Sequence, residues 1–217
     1  MTTVGVLHPG SMGSSVGAAA RARGARVFWC AAGRSAETRR RAEEDGLVAT
    51  ESLRELVAAS GVIVSVCPPA SALDVASQVA REGFRGLYLD ANAVSPKTAR
   101  AIADVVSNAG AAFVDGGIVG PPARPGRRSI LYLSGEKAEE VAKLFEGSAL
   151  EPSVVGRQLG QASALKMAFA AWTKGSTALL IAVRALARSE GVNEGLLDAW
   201  SRLMPERVRE LFDPTER

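Results

Sequence analysis

The residues best suited to chemistry begin at the amino terminus, in the stretch VGVLHPGSMGSSVG. Residues 4–7 are a short apolar run that reads as a buried strand. Pro9, Gly10, Ser11, Met12 and Gly13 follow at once, and a helix of small residues begins. A strand, a tight glycine turn and a helix start together make an anion cradle, because free N–H groups and the positive end of the helix dipole point the same way. In the dinucleotide fingerprint the middle glycine lets backbone approach a pyrophosphate, and the last lets the helix pack on the strand. Gly10 and Gly13 fill those two places, while His8 stands where the first glycine would be.

A second group of residues lies at the end of the next apolar run, VFWC. An acidic side chain there accepts from the ribose 2′-OH of NAD, whereas arginine suits the 2′-phosphate of NADP. The run leads into Ala31, Ala32, Gly33, Arg34 and Ser35, and no acid appears before Glu37. Arg34 can offer a planar guanidinium and Ser35 a hydroxyl to a phosphate dianion. The bound dinucleotide is therefore expected to be NADP rather than NAD. The competing reading has Ser35 capping a helix and Arg34 in solvent.

Lys166 sits in the apolar stretch ALKMAFAAW. At 100° per residue, Lys166, Ala170, Thr173 and Thr177 share one helix face, with Trp172 on the other side. A buried ammonium loses pKa and can exchange a proton near neutrality. The competing reading is a lysine whose stem is buried and whose amine reaches water. His8, the lone histidine, precedes a proline and is expected simply to end the first strand. Asp90 and Asp115 stand at separate strand ends and are expected to bind loop N–H groups. Arg127 and Arg128 follow a stiff proline loop and could meet an anion. Cysteine and histidine show no metal-ligand spacing, and no metal is expected.

The elements that must position these residues alternate along the chain. The 217 residues are 47% hydrophobic and 23% charged, enough for one sizeable core with an appendage. Strands are expected at residues 26–30, 47–48, 62–66, 87–90 and 111–114, with helices at 35–45, 52–59 and 96–109. This order implies a parallel, doubly wound sheet with strand order 3-2-1-4. Residues 129–133 and 153–155 read as an added antiparallel piece around a helix at 136–145. From residue 160 to about 190 the pattern becomes one long helix with Gly175 as its weak point, and two short helices at 194–203 and 205–212 close the chain. The expected boundary separates a dinucleotide-binding part, 1–157, from the long helix and a partial helical part, 158–217.

Composition limits the partners. The net charge is +3, dispersed over arginines without the aromatic interleaving of a nucleic-acid platform. No nucleic acid is expected, and no membrane, since apolar runs are too short to span one. Cys30 and Cys67 fall at the ends of strands two and four. With strand one between them the gap is about 9.6 Å at ~4.8 Å per strand, too wide for a disulfide. Free thiols and the lack of a signal-peptide pattern point to the cytoplasm.

Taken in order, VGVLHPGSMG, SVCPP, LDANAVSP, FVDGGIVGPP and GQASALK resemble the β-hydroxyacid dehydrogenase and 6-phosphogluconate dehydrogenase-like superfamily. The chain is most similar to a less characterised branch with a distinctive carboxy-terminal helical domain of unknown function. The resemblance implies a Rossmann-like α/β domain followed by a long helix and a short, apparently truncated all-α part. It places Cys67, Pro68 and Pro69 beside the adenosine and nicotinamide ribose. It assigns Asn92 to cofactor and substrate, and Val119, Gly120, Pro121, Ala170 and Thr173 to the substrate wall. Lys166 falls on the catalytic lysine, the proton partner of the reacting oxygen in hydride transfer. Three polar positions of the family pattern are changed: the Ser-Thr pair is Asn92-Ala93, the Ser-Gly-Gly is Val119-Gly120-Pro121, and the asparagine after the lysine is Ala170. The implied substrate is therefore a small carbonyl, alcohol or imine compound less acidic than a hydroxyacid. The implied activity is that of an NADP-dependent oxidoreductase, with a non-catalytic NADP(H)-binding or regulatory protein as the alternative. A helix of about 30 residues is ~45 Å long and carries Leu179, Leu180, Ile181, Val183 and Leu186 on several sides, so it is expected to pair with a second copy in a homodimer. The family's helical domain runs further, which implies either a truncated form or a wall supplied by another subunit.

Overall fold

The computed structural model describes residues 1–206. The first apolar run forms β1 (Thr3–Val6), and further runs form β2 (Arg26–Cys30), β3 (Val48–Thr50), β4 (Val62–Ser65) and β5 (Leu87–Asp90). All pair in parallel, with Val4 opposite Val27 on one side and Val62 on the other. The connecting helices are α1 (Ser11–Ala22), α2 (Ala36–Glu44), α3 (Leu53–Ala59), α4 (Ala72–Arg81) and α5 (Pro96–Asn108). Three of them start on a serine whose side chain accepts a first-turn N–H: Ser35 from Thr38, Ser52 from Glu55 and Ser95 from Thr98. Such caps fix where a helix begins.

Both faces of the sheet are covered, as parallel strands require. Because side chains alternate, Val64 and Leu89 join Val16, Trp29 and Phe145 in one core, while Ile63 and Tyr88 join Leu56 and Ile102 in the other. The sheet has the order β3-β2-β1-β4-β5-β6-β7-β8. The expected 3-2-1-4 order is its first half.

The fold departs from expectation in four ways. β6 (Ala112–Val119) is twice as long as the apolar run suggested, because Asp115, Gly116 and Gly117 continue the strand. Those residues look like turn chemistry in sequence, but their ladder partner β7 (Ser129–Ser134) runs antiparallel beside them. β8 (Leu150–Gly156) then pairs parallel to β7, so the added piece is mixed and not purely antiparallel. The crossover helix between them, α6 (Ala138–Ala142), is shorter than expected. α4 was not anticipated at all. Its start is masked by Pro68-Pro69, which opens a 3-10 turn over Pro69–Ser71 that feeds the helix.

The chain divides into two compact units, Met1–Met167 and the residues from Ala168 onward. The sheet and its helices make the first. α7 (Gln161–Ser189) is a single helix that begins in the first and continues into the second. The second unit also holds α8 (Asn193–Leu203), tied to α7 by Val192 N–H donating to Ala187 O at 2.8 Å. Trp172, Leu179, Ile181 and Leu186 are more than 60% exposed there. The expected helix at 205–212 lies largely outside the described residues. No helix among the described residues is long and apolar enough to cross a membrane.

Candidate active site

The anion cradle forms at the carboxyl end of β1. Gly10 N–H donates to His8 O at 2.8 Å, and Ser14 N–H to Gly10 O at 2.9 Å, which starts α1. A Cβ on Gly13 would collide with the carbonyl oxygen of His8, so only glycine lets α1 sit this close to β1. Gly10 differs: a Cβ there would meet nothing within 4 Å. The space beside it is open. Gly10 also precedes α1 without any side-chain cap, so no side chain offsets the positive end of the helix dipole there.

Arginines close on this edge. Arg34 reaches from the end of β2 to Leu7 O (3.3 Å), and Arg39 to Ala31 O (2.7 Å) and Arg34 O (3.4 Å). Arg41 contacts Pro9 O at 3.5 Å while pairing with Glu37 at 2.5 Å. Arg34 is therefore half-buried over the cradle and not solvated, whereas Ser35 does cap α2. Gly33 supplies the positive φ, 69°, that turns the chain between β2 and this cap. Arg34 Nε and His8 Nδ1 are buried with no hydrogen-bond partner among the described residues. Burial, and then the charge of Arg34, push the His8 imidazole down to about 4. Neutral His8 beside unspent guanidinium donors suits an acceptor-rich anion. Arg39 and Arg41 read in sequence as dispersed charge; Arg39 folds back on carbonyls of its own turn, and the Arg41 contact with Pro9 O arises only when β1 and β2 lie side by side.

The ends of β4 and β5 are joined by one amide. Asn92 Oδ1 accepts from Cys67 N–H at 2.6 Å, and its Nδ2 donates to Ser65 Oγ (3.0 Å) and Asp90 Oδ2 (2.9 Å). Asn92 N–H donates to Asp90 Oδ1 at 3.0 Å. The Asn92 side chain is thus spent on holding the loop that carries Cys67, Pro68 and Pro69. Burial pushes the Asp90 carboxyl up to about 6; the Asn92 hydrogen bonds oppose the rise and the Asp115 charge adds to it. Burial also raises the Cys67 thiol, so this half-buried free cysteine is a protonated wall and not a nucleophile.

β6 and the start of α7 position Lys166. Asp115, wholly buried, accepts from Ser163 N–H (3.0 Å), Ser163 Oγ (2.5 Å) and Ser134 Oγ (2.9 Å). A Cβ on Gly117 would lie 2.9 Å from Lys166 Cβ and 3.0 Å from Ala162 O, so the glycine lets α7 seat directly on the strand. Asp115 does bind one N–H group, though of a helix 48 residues away and not of a nearby loop; its other partners are hydroxyls. Val119 is buried in β6, Gly120 turns the chain at φ 118°, and Pro121 O accepts from Ser129 Oγ. Arg124 anchors the loop that follows, through Asp45 at 2.6 and 3.0 Å and Ser14 at 3.3 Å. Arg128 is exposed, 4.0 Å from Glu151. Ala170 and Thr173 belong to the second unit, where Thr173 Oγ1 donates to Phe169 O at 3.0 Å.

Residues 3–153 match the model of the NAD binding domain of 6-phosphogluconate dehydrogenase. The chain is 33% identical over 172 residues to an uncharacterised 28.5 kDa protein of Methanothermus fervidus, an alignment covering 79% of this chain and 66% of that relative. It thus spans just under two thirds of that relative's length. Among solved structures it is similar to the conserved protein MTH1747, of unknown function and described as structurally similar to 3-hydroxyacid dehydrogenases. The two share 32% identity with a TM-score of 0.77, covering 96% of this chain and 78% of that one. An imine reductase from Myxococcus stipitatus in complex with NADP+ shares the fold, at 24% identity and TM-score 0.71 over 97% of this chain and 74% of the other.

The raised Asp90 carboxyl has a consequence for stability. Between the ordinary value of 3.8 and about 6 the folded chain keeps a proton that the unfolded chain has released. Asp90 therefore makes stability fall as pH rises through that window, with the loss constant above it. Carboxyl NMR should give an Asp90 midpoint near 6, and Asp90→Asn should flatten this part of the urea-derived stability profile. A midpoint at or below 4 would refute the assignment.

Proposed function

The chain belongs to the family of the NAD-binding domain of 6-phosphogluconate dehydrogenase, and from that premise we propose that it is an NADP-dependent oxidoreductase acting on a small hydroxy, carbonyl or imine compound. The observation that carries this reading is the uncapped start of α1 beneath a half-buried Arg34 with an unspent Nε. Open space at Gly10 and converging guanidinium donors fit a dinucleotide that bears an extra phosphate. Backbone N–H groups of Ser11, Met12 and Gly13 would hold the pyrophosphate, with Pro9 shaping the turn and Gly10, whose own N–H is taken by His8 O, leaving the space open beside it. Gly33, Arg34 and Ser35 hold the 2′-phosphate, aided by Arg39. The loop of Cys67, Pro68 and Pro69 walls the ribose side, and Asn92 serves by fixing that loop.

When bound, the dinucleotide supplies or accepts hydride at its nicotinamide. Lys166 gives or takes the proton at the substrate oxygen or nitrogen. Val119, Gly120 and Pro121 contribute to the substrate wall. With valine and proline in place of the family's polar groups, that wall favours a substrate without a carboxylate; imine and simple carbonyl compounds fit better than hydroxyacids. The exposed apolar residues Trp172, Leu179, Ile181 and Leu186 of α7 are covered by a second copy of the chain. The working protein is then a homodimer.

NADPH should bind at least ~10-fold tighter than NADH, about 1.4 kcal/mol, and Arg34→Ala should remove most of that gap; equal dissociation constants in the parent protein would overturn the cofactor assignment. On a panel of carbonyl and imine compounds, Lys166→Ala should leave NADPH affinity near the parent value and lower kcat by ~10²–10⁴, with no rescue by Lys166→Arg. A Lys166→Ala protein that keeps more than about half of the parent hydride rate would make the lysine structural. Tight NADPH binding without turnover on any member of the panel would leave a regulatory binding protein. Sedimentation should show a dimer at micromolar concentration, and a monomer there would contradict the pairing.

A further inference from the structure

A proton-handling lysine must sit at a fixed place on its helix, and α7 begins with a residue that cannot cap it. Gly160 O accepts the first helical bond from Ala164 N–H at 2.9 Å, but Gly160 has no side chain to receive the N–H groups of the first turn. In an ordinary helix those donors are met by a Ser, Thr, Asp or Asn at the cap, as Ser35, Ser52 and Ser95 do elsewhere in this chain. Here the sheet supplies them. Ala162 N–H donates to Ser134 Oγ of β7 at 3.1 Å, and Ser163 N–H to Asp115 Oδ2 of β6 at 3.0 Å. Ser134 Oγ and Ser163 Oγ both donate to the same carboxylate. Asp115, Ser134, Ala162 and Ser163 are all at most 1% exposed.

We propose that the Asp115 carboxylate, bridged through Ser134 and Ser163, is the positioning group that sets the rotation and height of Lys166 for proton transfer. The inference rests on the reading of Lys166 as the proton partner. Lys166 follows Ala162 by four residues and Ser163 by three, so it projects from the same helix face as the two tethered residues. That face meets Gly117, where a single Cβ would already press on Lys166 Cβ. Charge-assisted bonds in a dry site are short and directional, and a carboxylate at a helix start also favours the dipole. A helix turns 100° per residue, so a small loss of register at the first turn displaces the amine. Misplacement by about 1 Å is enough to cost a reaction roughly 10²-fold. Asp115 touches no substrate in this role; it acts through Lys166.

The test compares Asp115→Asn, Ser163→Ala and Lys166→Ala with the parent chain, each first checked by circular dichroism and NADPH fluorescence titration. Asp115→Asn keeps the size of the side chain and replaces one acceptor oxygen with a donor facing a donor. Single-turnover NADPH oxidation should slow by ~10–100-fold in Asp115→Asn and by a smaller factor in Ser163→Ala. KM and NADPH affinity should change by less than about threefold, the split expected when only the transition state loses a contact. The limb of the pH–rate profile that disappears in Lys166→Ala should be displaced in both positioning variants. Independently of activity, the ¹³C signal of reductively methylated Lys166, assigned by its absence in Lys166→Arg, should shift in Asp115→Asn and Ser163→Ala more than those of Lys97, Lys137 and Lys143.

A parent rate, pH limb and Lys166 signal in Asp115→Asn would overturn the inference. If Asp115→Asn does not fold, the same three readouts in Ser163→Ala decide it. Failure of the underlying reading looks different: Lys166→Ala would then turn over at the parent rate, while the methyl signal still reports whether Asp115 places the lysine.

Discussion

The start of a helix leaves four N–H groups without partners, and how this chain answers that need organises the whole first unit. α2, α3 and α5 are closed by their own serines, which ends the matter locally. α1 is left without a side-chain cap, seated on β1 by the collision that any Cβ at Gly13 would suffer. α7 is closed from outside by a carboxylate and a hydroxyl of the sheet. One helix start is thus left without a side-chain partner, and another is met by a buried carboxyl of the protein itself.

The same economy appears in the polar core. Asp90 and Asp115 are direct neighbours in register across β5 and β6, two buried carboxyls that cannot both be charged at no cost. Asp115 is surrounded by donors, two hydroxyls and a helix N–H. Asp90 has the backbone and side chain of one asparagine, and its carboxyl rises to about 6. The unequal distribution of donors gives the pair different tasks: Asp115 tethers α7, and Asp90, its carboxyl raised, holds Asn92. Asn92 in turn holds the Cys67 amide. A chain of short contacts therefore runs from the loop after β4, through β5 and β6, to the first turn of α7, and it leaves little freedom to the residues at either end.

Much of this was legible in the chain itself. Short apolar runs bounded by glycine, proline and serine are read locally, because strand burial and helix caps are set by near neighbours in sequence. The β1–α1 turn, the start of a helix at Ser35, the half-sheet order 3-2-1-4 and the long helix near residues 160–190 all follow from such signals. The resemblance to the dehydrogenase superfamily also rested on local motifs, and the family match bears it out. α4 escaped because Pro68-Pro69 hides a helix start, and the long β6 escaped because Asp115-Gly116-Gly117 has the composition of a turn.

What only the tertiary structure decided is which partner each polar group takes. Asn92 looked like a ligand contact, yet its amide is spent between two strand ends. Arg41 looked like solvent-facing charge, yet it reaches the Pro9 carbonyl from 32 residues away. Asp115 and Ser163 are 48 residues apart, and nothing in either neighbourhood names the other. The one local clue was a helix beginning on Gly160, a residue that leaves its first-turn donors to be met from elsewhere. Composition and spacing determine which groups a segment offers, because backbone conformation is a short-range matter. The pairing of those groups is a property of the packed sheet, since burial drives most donors to an acceptor and only the assembled fold says which one is within reach.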